Sequence, residues 1–244
     1  MTVIHAAFDA SKCSPHGITT VAGYIADTDM WQSVEERWNA QLAAAELETF
    51  HLADIKRRHR GDDWLKVVKP FAQIIRDAGL RSVTASLKDT DWSRLDHDSE
   101  YRKICPHREH ACLDILFGVL AEDAELEFKN ELIAVVFDND YGNTKAMFKV
   151  YEAWRQRTGH PGFNIFLKGG VPWDSVPLQC ADMVAGLLRL NPFSRAMLDD
   201  TMGALDDDAP LSDIAGIALH HGRGVMWSAA IAEKVEKLLR RRDR

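Results

Sequence analysis

The sequence has few cysteines and no long apolar run, and both absences exclude classes of protein. Only four of its 244 residues are cysteine, too few for a disulfide-stapled secreted scaffold. Its apolar runs, such as IAVVF at residues 133–137, are far shorter than the ~20 residues needed to cross a bilayer. The N-terminus has no basic segment before its apolar stretch, so it is typical of a first strand and not of a signal peptide. We therefore expect a cytoplasmic protein with no membrane partner.

An excess of basic charge is also missing. The 30 Lys and Arg residues are outnumbered by 37 Asp and Glu residues, which gives a formal net charge of −7. Nucleic-acid-binding proteins are often basic because phosphate neutralisation dominates their affinity. This chain would therefore bind nucleic acid through a local basic run, and Lys56, Arg57, Arg58 and Arg60 form one. A charge run is equally typical of a solvated helix end, so both interpretations stay open.

Several well-known catalytic motifs are absent as well. The sequence has no Walker loop, no G-x-G-x-x-G and no G-x-S-x-G. Their absence argues against P-loop nucleotide hydrolysis, dinucleotide redox chemistry and α/β-hydrolase chemistry.

Hydrophobic periodicity predicts the order of the elements. Alternating or wholly apolar segments predict strands over residues 2–9, 18–26, 47–52, 80–87, 132–138 and 163–168. Helical spacing predicts helices from about residue 33, over 64–78 with a kink or split at Pro70, over 106–125, from residue 143, over 178–190 and over 226–242. This order predicts an α/β fold with a mixed sheet, in which strands 1–3 are antiparallel and later strands parallel, flanked by helices. We expect residues 1–190 to form this domain and residues 191–244 a helical extension packed on it.

Aspartates at the ends of two predicted strands are the first candidates for chemistry. Asp9 ends the first strand on one face with His5 and Ala7, and Asp138 ends the strongest strand, with Asp140 two residues later. Ligand sites in open α/β sheets lie at the carboxyl ends of strands, and carboxylate oxygens suit hard cations. Asp in these positions is also ordinary turn or helix-cap chemistry, so the sequence leaves both roles open.

A third aspartate, Asp182, lies in an otherwise apolar helix, VPLQCADMVAGLLRL. Gln179, Asp182 and Gly186 share one stripe of that helix, and Gly186 permits close approach of a neighbouring element. A buried, unpartnered carboxylate costs several kcal/mol, so Arg189, backbone donors or a metal must compensate Asp182. His51 and Asp54, which follow the predicted third strand, are further candidates for a metal ligand or a nearby base.

These segments together resemble the domain-of-unknown-function family 3800. The resemblance rests on AAFDASK around Asp9, VAGYIAD around Gly23, VVFDND around Asp138 and LQCADMVAG around Asp182, the most specific of the four. It spans about residues 2–190 and implies a ribonuclease H-like fold with metal-assisted phosphodiester chemistry. Ala10 stands where the family usually has an acid, so this chain lacks the second N-terminal carboxylate of the family pattern.

The resemblance also implies a mechanism. Asp9, Asp138 and Asp182 would be the catalytic residues and would hold two divalent cations ~3.5–4 Å apart. Mg²⁺ or Mn²⁺ suits such carboxylate ligands. The side chains expected to support these ligands are Asp140, His51, Asp54 and Gln179.

The resulting expectation is a metal-dependent nuclease or phosphodiester hydrolase, with nucleic acid as a partner. Two alternatives stay open at this point. One is a non-catalytic binding module on the same fold, because fold does not fix function. The other is a hydrolase of a small phosphorylated compound, whose signature would be a closed pocket lined by Arg and Lys.

Overall fold

The structure, a computed structural model, describes residues 3–11, 17–96, 98–126, 132–137, 144–160, 164–167, 175–190 and 222–227. The strands within these ranges are β1 (Val3–Ser11), β2 (Ile18–Asp27), β3 (Arg81–Lys88), β4 (Leu132–Phe137), β5 (Asn164–Leu167) and β6 (Gly222–Trp227). The helices are α1 (Thr28–Ala44), α2 (Leu52–Arg58), α3 (Asp63–Ala78), α4 (Asp89–Ser93), α5 (Glu100–Ile104), α6 (Arg108–Leu126), α7 (Thr144–Thr158) and α8 (Val176–Leu190). Across these ranges, we find no helix that is both long and apolar enough to span a membrane.

The strands form one mixed sheet in the order β5-β4-β1-β2-β3-β6. Strands β1, β2 and β3 pair antiparallel, whereas β4 runs parallel to β1, β5 parallel to β4 and β6 parallel to β3. The predicted α/β class and mixed sheet flanked by helices are therefore confirmed.

Helices cover both faces of the sheet. Ile4, Ala6 and Phe8 of β1 point to one face and pack in a cluster with residues of α6 and α7. Ala22 and Tyr24 of β2 point to the other face and pack with residues of α1, α3 and α8. Because both faces are covered, nine of the ten residues of β2 are buried instead of every second one.

The strand predicted over residues 47–52 is wrong. This segment is an irregular connection after α1 that leads into α2 at Leu52. Two of its backbone N–H groups donate to side chains of α8 and not to a neighbouring strand: Phe50 N to Gln179 Oε1 at 3.0 Å and Leu52 N to Asp182 Oδ2 at 2.8 Å. The third antiparallel strand is β3 instead.

The helical prediction for residues 191–244 is wrong at Gly222–Trp227, which forms β6. This strand pairs with β3 from Ser82 opposite Gly222 to Leu87 opposite Trp227. Strand β3 pairs with β2 on one side, and the backbone groups of its other edge pair with β6. Local hydrophobic periodicity does not predict such a pairing with a distant strand edge. The sheet thus includes residues beyond position 190, while residues 191–221 and 228–244 lie outside the described residues.

Two helices differ in detail from their predicted forms. Helix α1 begins at Thr28, before the predicted start near residue 33, because the Asp27 side chain accepts a hydrogen bond from Met30 N at 2.7 Å and caps it. Helix α3 is not split at Pro70 and runs unbroken to Ala78, where Gly79 ends it with a left-handed φ of 70°.

Strands β1 and β2 approach each other closely at Gly23. A Cβ atom at Gly23 would lie 1.8 Å from the carbonyl oxygen of Ala7 and 2.6 Å from Cδ1 of Phe8. Since the nearest atom belongs to the backbone of the central strand, no side-chain rotation relieves this contact. The glycine of the VAGYIAD segment is therefore required by the packing of β2 against β1.

We expect Gly23→Ala to destabilise the fold by about 2 kcal/mol or more, because the methyl group forces β1 and β2 apart. Urea denaturation measures this change. Gly118→Ala in α6 is the matched control, since a Cβ there meets nothing within 4 Å and alanine is the better helix former by about 1 kcal/mol. Equal effects of the two substitutions would contradict the packing argument.

A buried ion pair ties together three helices on one side of the sheet. Arg157 Nη2 of α7 donates to Asp114 Oδ1 of α6 at 2.6 Å, and their side chains are 8% and 2% exposed. The Tyr101 hydroxyl of α5 lies 3.4 Å from Asp114 Oδ2. Burial raises the pKa of the Asp114 carboxyl, while the Arg157 guanidinium acts in the opposite direction.

Removing the cation by Arg157→Met should cost about 3–5 kcal/mol at neutral pH, because a buried carboxylate is left without its counter-ion. With the guanidinium gone, the pKa of Asp114 rises further above its unfolded value. The deficit should therefore be small in acid, where Asp114 is protonated in both states, and should grow as the pH rises from the pKa of Asp114 in the folded wild type to its higher pKa in the folded variant.

Chemical denaturation across pH checks this expectation. The control Arg155→Met, on the same helix, removes a solvent-exposed contact with Glu152 and should cost less than about 1 kcal/mol. A deficit in Arg157→Met that does not depend on pH would contradict the argument.

Candidate functional site

Asp9 lies at the carboxyl end of β1, on the sheet face that α8 covers. It pairs with Ala22 of β2, and residues directly opposite each other in a sheet point to the same face. Ala22 packs in the hydrophobic cluster that contains the buried residues of α8. Asp9 is half-buried, and its Oδ1 accepts a hydrogen bond from Ala10 N at 2.7 Å.

The second strand of the candidate site is β4, the parallel neighbour of β1. Its last residue, Phe137, pairs with Phe8, the residue before Asp9. Asp138 follows Phe137 in the sequence, and both Asp138 and Asp140 lie outside the described residues. The described part of β4 thus ends opposite Phe8, three residues before the end of β1.

Asp182 lies on α8 and is half-buried. Its Oδ2 accepts a hydrogen bond from Leu52 N, the first residue of α2, at 2.8 Å. Of the three compensating partners that the sequence left open, the structure provides a backbone donor. A carboxylate beside the first turn of a helix is also favoured by the partial positive charge there.

Gln179 and Gly186 of α8 also contact the segment that Asp182 binds. We call this segment, residues 50–52, the docking segment. Gln179 is 4% exposed, and its Oε1 accepts hydrogen bonds from Trp38 Nε1 at 2.9 Å and from Phe50 N at 3.0 Å. A Cβ at Gly186 would lie 2.4 Å from Cδ2 of Leu52. The polar stripe of LQCADMVAG therefore binds the docking segment through both its polar groups and its missing side chain.

His51 and Asp54 lie beside this contact. His51 precedes the Leu52 amide held by Asp182, and its Nδ1, which is shielded from solvent, is 3.4 Å from Asp54 Oδ2. The other carboxylate oxygen of Asp54 is 3.1 Å from the Arg57 guanidinium. Four candidates from the sequence, Gln179, Asp182, His51 and Asp54, therefore lie in one region. Gln179 and Asp182 both accept hydrogen bonds there from backbone N–H groups of the docking segment.

The basic run follows directly along α2. Lys56 Nζ lies 5.2 Å from the centre of the Trp64 ring, Arg57 pairs with Asp54, and Arg58 and Arg60 are exposed. Helix α2 has seven residues, so it is about 10 Å long at 1.5 Å per residue. The basic residues of α2 therefore lie within about 10 Å, along the helix axis, of Leu52, whose N–H binds Asp182.

Sequence reasoning missed a pocket next to Asp9. The pocket has a volume of about 560 Å³ and is lined by His5, Ala6, Ala7, Thr28, Trp31, Gln32, Glu35, Val136, Ser175 and Pro177. Its lining comes from β1, α1, β4 and the start of α8, which are far apart in the chain. Only the shared strand face of His5, Ala7 and Asp9 pointed toward it.

The donor chemistry of the two described aspartates fits a hard cation, since both offer carboxylate oxygens. Within the part of the chain that the structure describes, no three His, Cys, Asp or Glu side chains lie close enough to hold a metal ion. The predicted trio includes Asp138, which lies outside that part.

Substitutions at Asp182 separate its charge from its hydrogen bond. Asp182→Asn keeps an oxygen acceptor for Leu52 N, so we expect stability within about 1 kcal/mol of the wild type. Asp182→Ala leaves a partly buried N–H without this acceptor and should cost about 1–3 kcal/mol. Hydrogen exchange at the Leu52 amide, measured by NMR, should be accelerated in the Ala variant alone. Equal protection in both variants would show that the contact does not hold the docking segment.

Comparisons with protein-family models, with curated proteins and with solved structures found no match to this chain.

Proposed function

We propose that this chain is a divalent-metal-dependent phosphodiester hydrolase that acts on nucleic acid. The observation that carries the proposal is the register of two parallel strands, in which Phe8 of β1 lies opposite Phe137 of β4. In the sequence, each of these residues is followed by an aspartate, Asp9 and Asp138. Ligand sites of α/β sheets lie at such carboxyl ends.

The sheet supports a ribonuclease H-like fold as part of this proposal. Along the sheet the first five strands follow the order β3-β2-β1-β4-β5. The first three are antiparallel and the last two run parallel to β1, the arrangement predicted from the order of the elements. Membership of the domain-of-unknown-function family 3800 is proposed on the motifs around Asp9, Gly23, Asp138 and Asp182.

Asp9, Asp138 and Asp182 are the residues that would hold Mg²⁺ or Mn²⁺. Helix α8, which carries Asp182, covers the sheet face of Asp9, so these two carboxylates belong to the same side of the sheet. A divalent cation bound there supplies an activated water and stabilises charge on the phosphate and the leaving oxygen. Asp140 would support these ligands from the same segment as Asp138.

The chain's own groups around Asp182 have supporting roles. Gln179 and Asp182 hold the docking segment, and Asp54 Oδ2 lies 3.4 Å from His51 Nδ1 beside it. The basic run of Lys56, Arg57, Arg58 and Arg60 gives an otherwise acidic protein a local site for a phosphate backbone.

The test is calorimetric titration of Mn²⁺ and Mg²⁺ into the wild type, Asp9→Asn and Asp182→Asn, with metal-dependent cleavage of single- and double-stranded DNA and RNA. Both variants keep an oxygen acceptor for their backbone hydrogen bonds but lose a charge. We expect metal affinity and cleavage to fall by at least about 10–100-fold in each. Asp63→Asn, an exposed change on α3, is the control and should behave as the wild type.

A wild type that binds neither cation, even with nucleic acid present, would overturn the proposal. It would favour the second candidate, a non-catalytic binding module on the same fold. The observation behind that candidate is that the most specific motif already has a structural task, since Gln179 and Asp182 bind the docking segment.

The third reading, a hydrolase of a small phosphorylated compound, has less support. It calls for a closed pocket lined by Arg and Lys. Among the described residues that line the pocket beside Asp9, none is Arg or Lys.

A further inference from the structure

We propose that the pocket beside Asp9 receives one unpaired nucleobase of the substrate, so that the preferred substrate is single-stranded nucleic acid. This inference rests on the proposed function and names the form of its substrate. It draws on the position of the pocket, its size, the chemistry of its lining and the fixed position of one wall.

The pocket lies against the middle of β1 and the last described residues of β4. Two of its lining residues, Ala7 and Val136, are register partners in these strands. Asp9 is the next residue of β1 on the same face, about 7 Å further along the strand. A phosphate at Asp9 would therefore have its attached nucleoside within reach of the pocket.

The size of the pocket fits a nucleoside. Its volume is about 560 Å³, within the range of about 300–1,000 Å³ typical of small-molecule sites. A lone phosphate or a metal ion would leave most of this space unfilled.

The lining favours a neutral ring that carries N–H donors. Ala7, Val136 and Pro177 are apolar walls suited to the faces of a ring, whereas Gln32 and Glu35 are exposed polar residues on the α1 side. With no cation among the described lining residues, the Glu35 carboxylate repels phosphate and accepts hydrogen bonds from amino groups. Apolar walls with a few polar groups at the ring edge are how enzymes hold an extruded base.

One wall of the pocket is fixed before any ligand binds. Trp31 of α1 is 4% exposed, and its indole Nε1 donates to the carbonyl oxygen of His5 in β1 at 2.9 Å. This bond holds α1 against β1, so the backbone that carries Gln32 and Glu35 is in place before a ligand binds.

A base in a duplex is paired and stacked, and it must be extruded at a cost of a few kcal/mol before it enters such a pocket. A single strand offers its bases without that cost. The exposed Arg58 and Arg60 would then contact the strand through its phosphates, without reading its sequence.

The experiment titrates adenosine, guanosine, cytidine and uridine, which carry no phosphate, into the full chain with EDTA present, followed by NMR or calorimetry. We expect at least one nucleoside with an amino group to bind with a Kd of about 1 mM or tighter. Gln32→Trp, which fills the pocket from an exposed position, should abolish binding. Glu35→Gln should weaken the amino-bearing nucleosides about 10-fold while changing uridine less.

Glu36→Gln, an exposed change one residue along α1, is the matched control and should bind as the wild type. Thermal melts of all three variants should coincide with the wild type. If no nucleoside binds to the wild type, or if Gln32→Trp binds as the wild type does, the pocket proposal is overturned.

The two proposals fail in different ways. If Mn²⁺ binds and nucleic acid is cleaved, but Gln32→Trp cuts single strands as fast as the wild type, the base pocket is wrong and the hydrolase stands. If nucleosides bind as expected while neither Mn²⁺ nor Mg²⁺ binds, the pocket stands and the metal-dependent function is wrong.

Discussion

The pairing of β1 on both of its sides is the constraint on which the rest of the structure depends. β1 binds β2 antiparallel and β4 parallel, so it joins the antiparallel part of the sheet to the parallel strands β4 and β5. Its residues Ile4, Ala6 and Phe8 enter the hydrophobic cluster on one face of the sheet, and Ala22 and Tyr24 of its neighbour β2 enter the cluster on the other face. Gly23 allows β2 to approach β1. The same pairing brings the carboxyl ends of β1 and β4 together, and that is where the proposed chemistry lies.

Helix α8 both packs on the sheet and binds the docking segment. Its apolar residues, such as Met183 and Val184, pack on the sheet, while Gln179 and Asp182 accept hydrogen bonds from the docking segment. A buried acceptor that satisfies a backbone N–H removes a desolvation penalty of about 1–3 kcal/mol. A motif of this kind is therefore explained by stability even before any metal is considered. The proposed catalytic role of Asp182 adds to this structural role, because the hydrogen bond to Leu52 would hold the carboxylate in place.

Charge is distributed unevenly around the proposed site. The chain is acidic overall, yet α2 ends in the basic run, and the pocket beside Asp9 contains Glu35 without a cation among its described lining. Under the proposals above, the first would attract a phosphate backbone and the second would accept a neutral base. Such an arrangement suits a substrate that has separate anionic and neutral parts, as a nucleic acid strand does.

The sequence by itself determined the elements whose signal is local. Alternating and wholly apolar runs gave β1, β2, β3 and β4 within a few residues, and the stripe of Gln179, Asp182 and Gly186 was legible at helical spacing. Tertiary structure alone decided why residues 47–52 are not a strand, why Gly222–Trp227 is one, and which group partners Asp182. The physical reason is that each of these depends on backbone hydrogen-bonding groups that lie far away in the chain: Leu52 is 130 residues from Asp182. Periodicity reports which face of an element is apolar, and it carries no information about the donor or the strand edge that will meet that element.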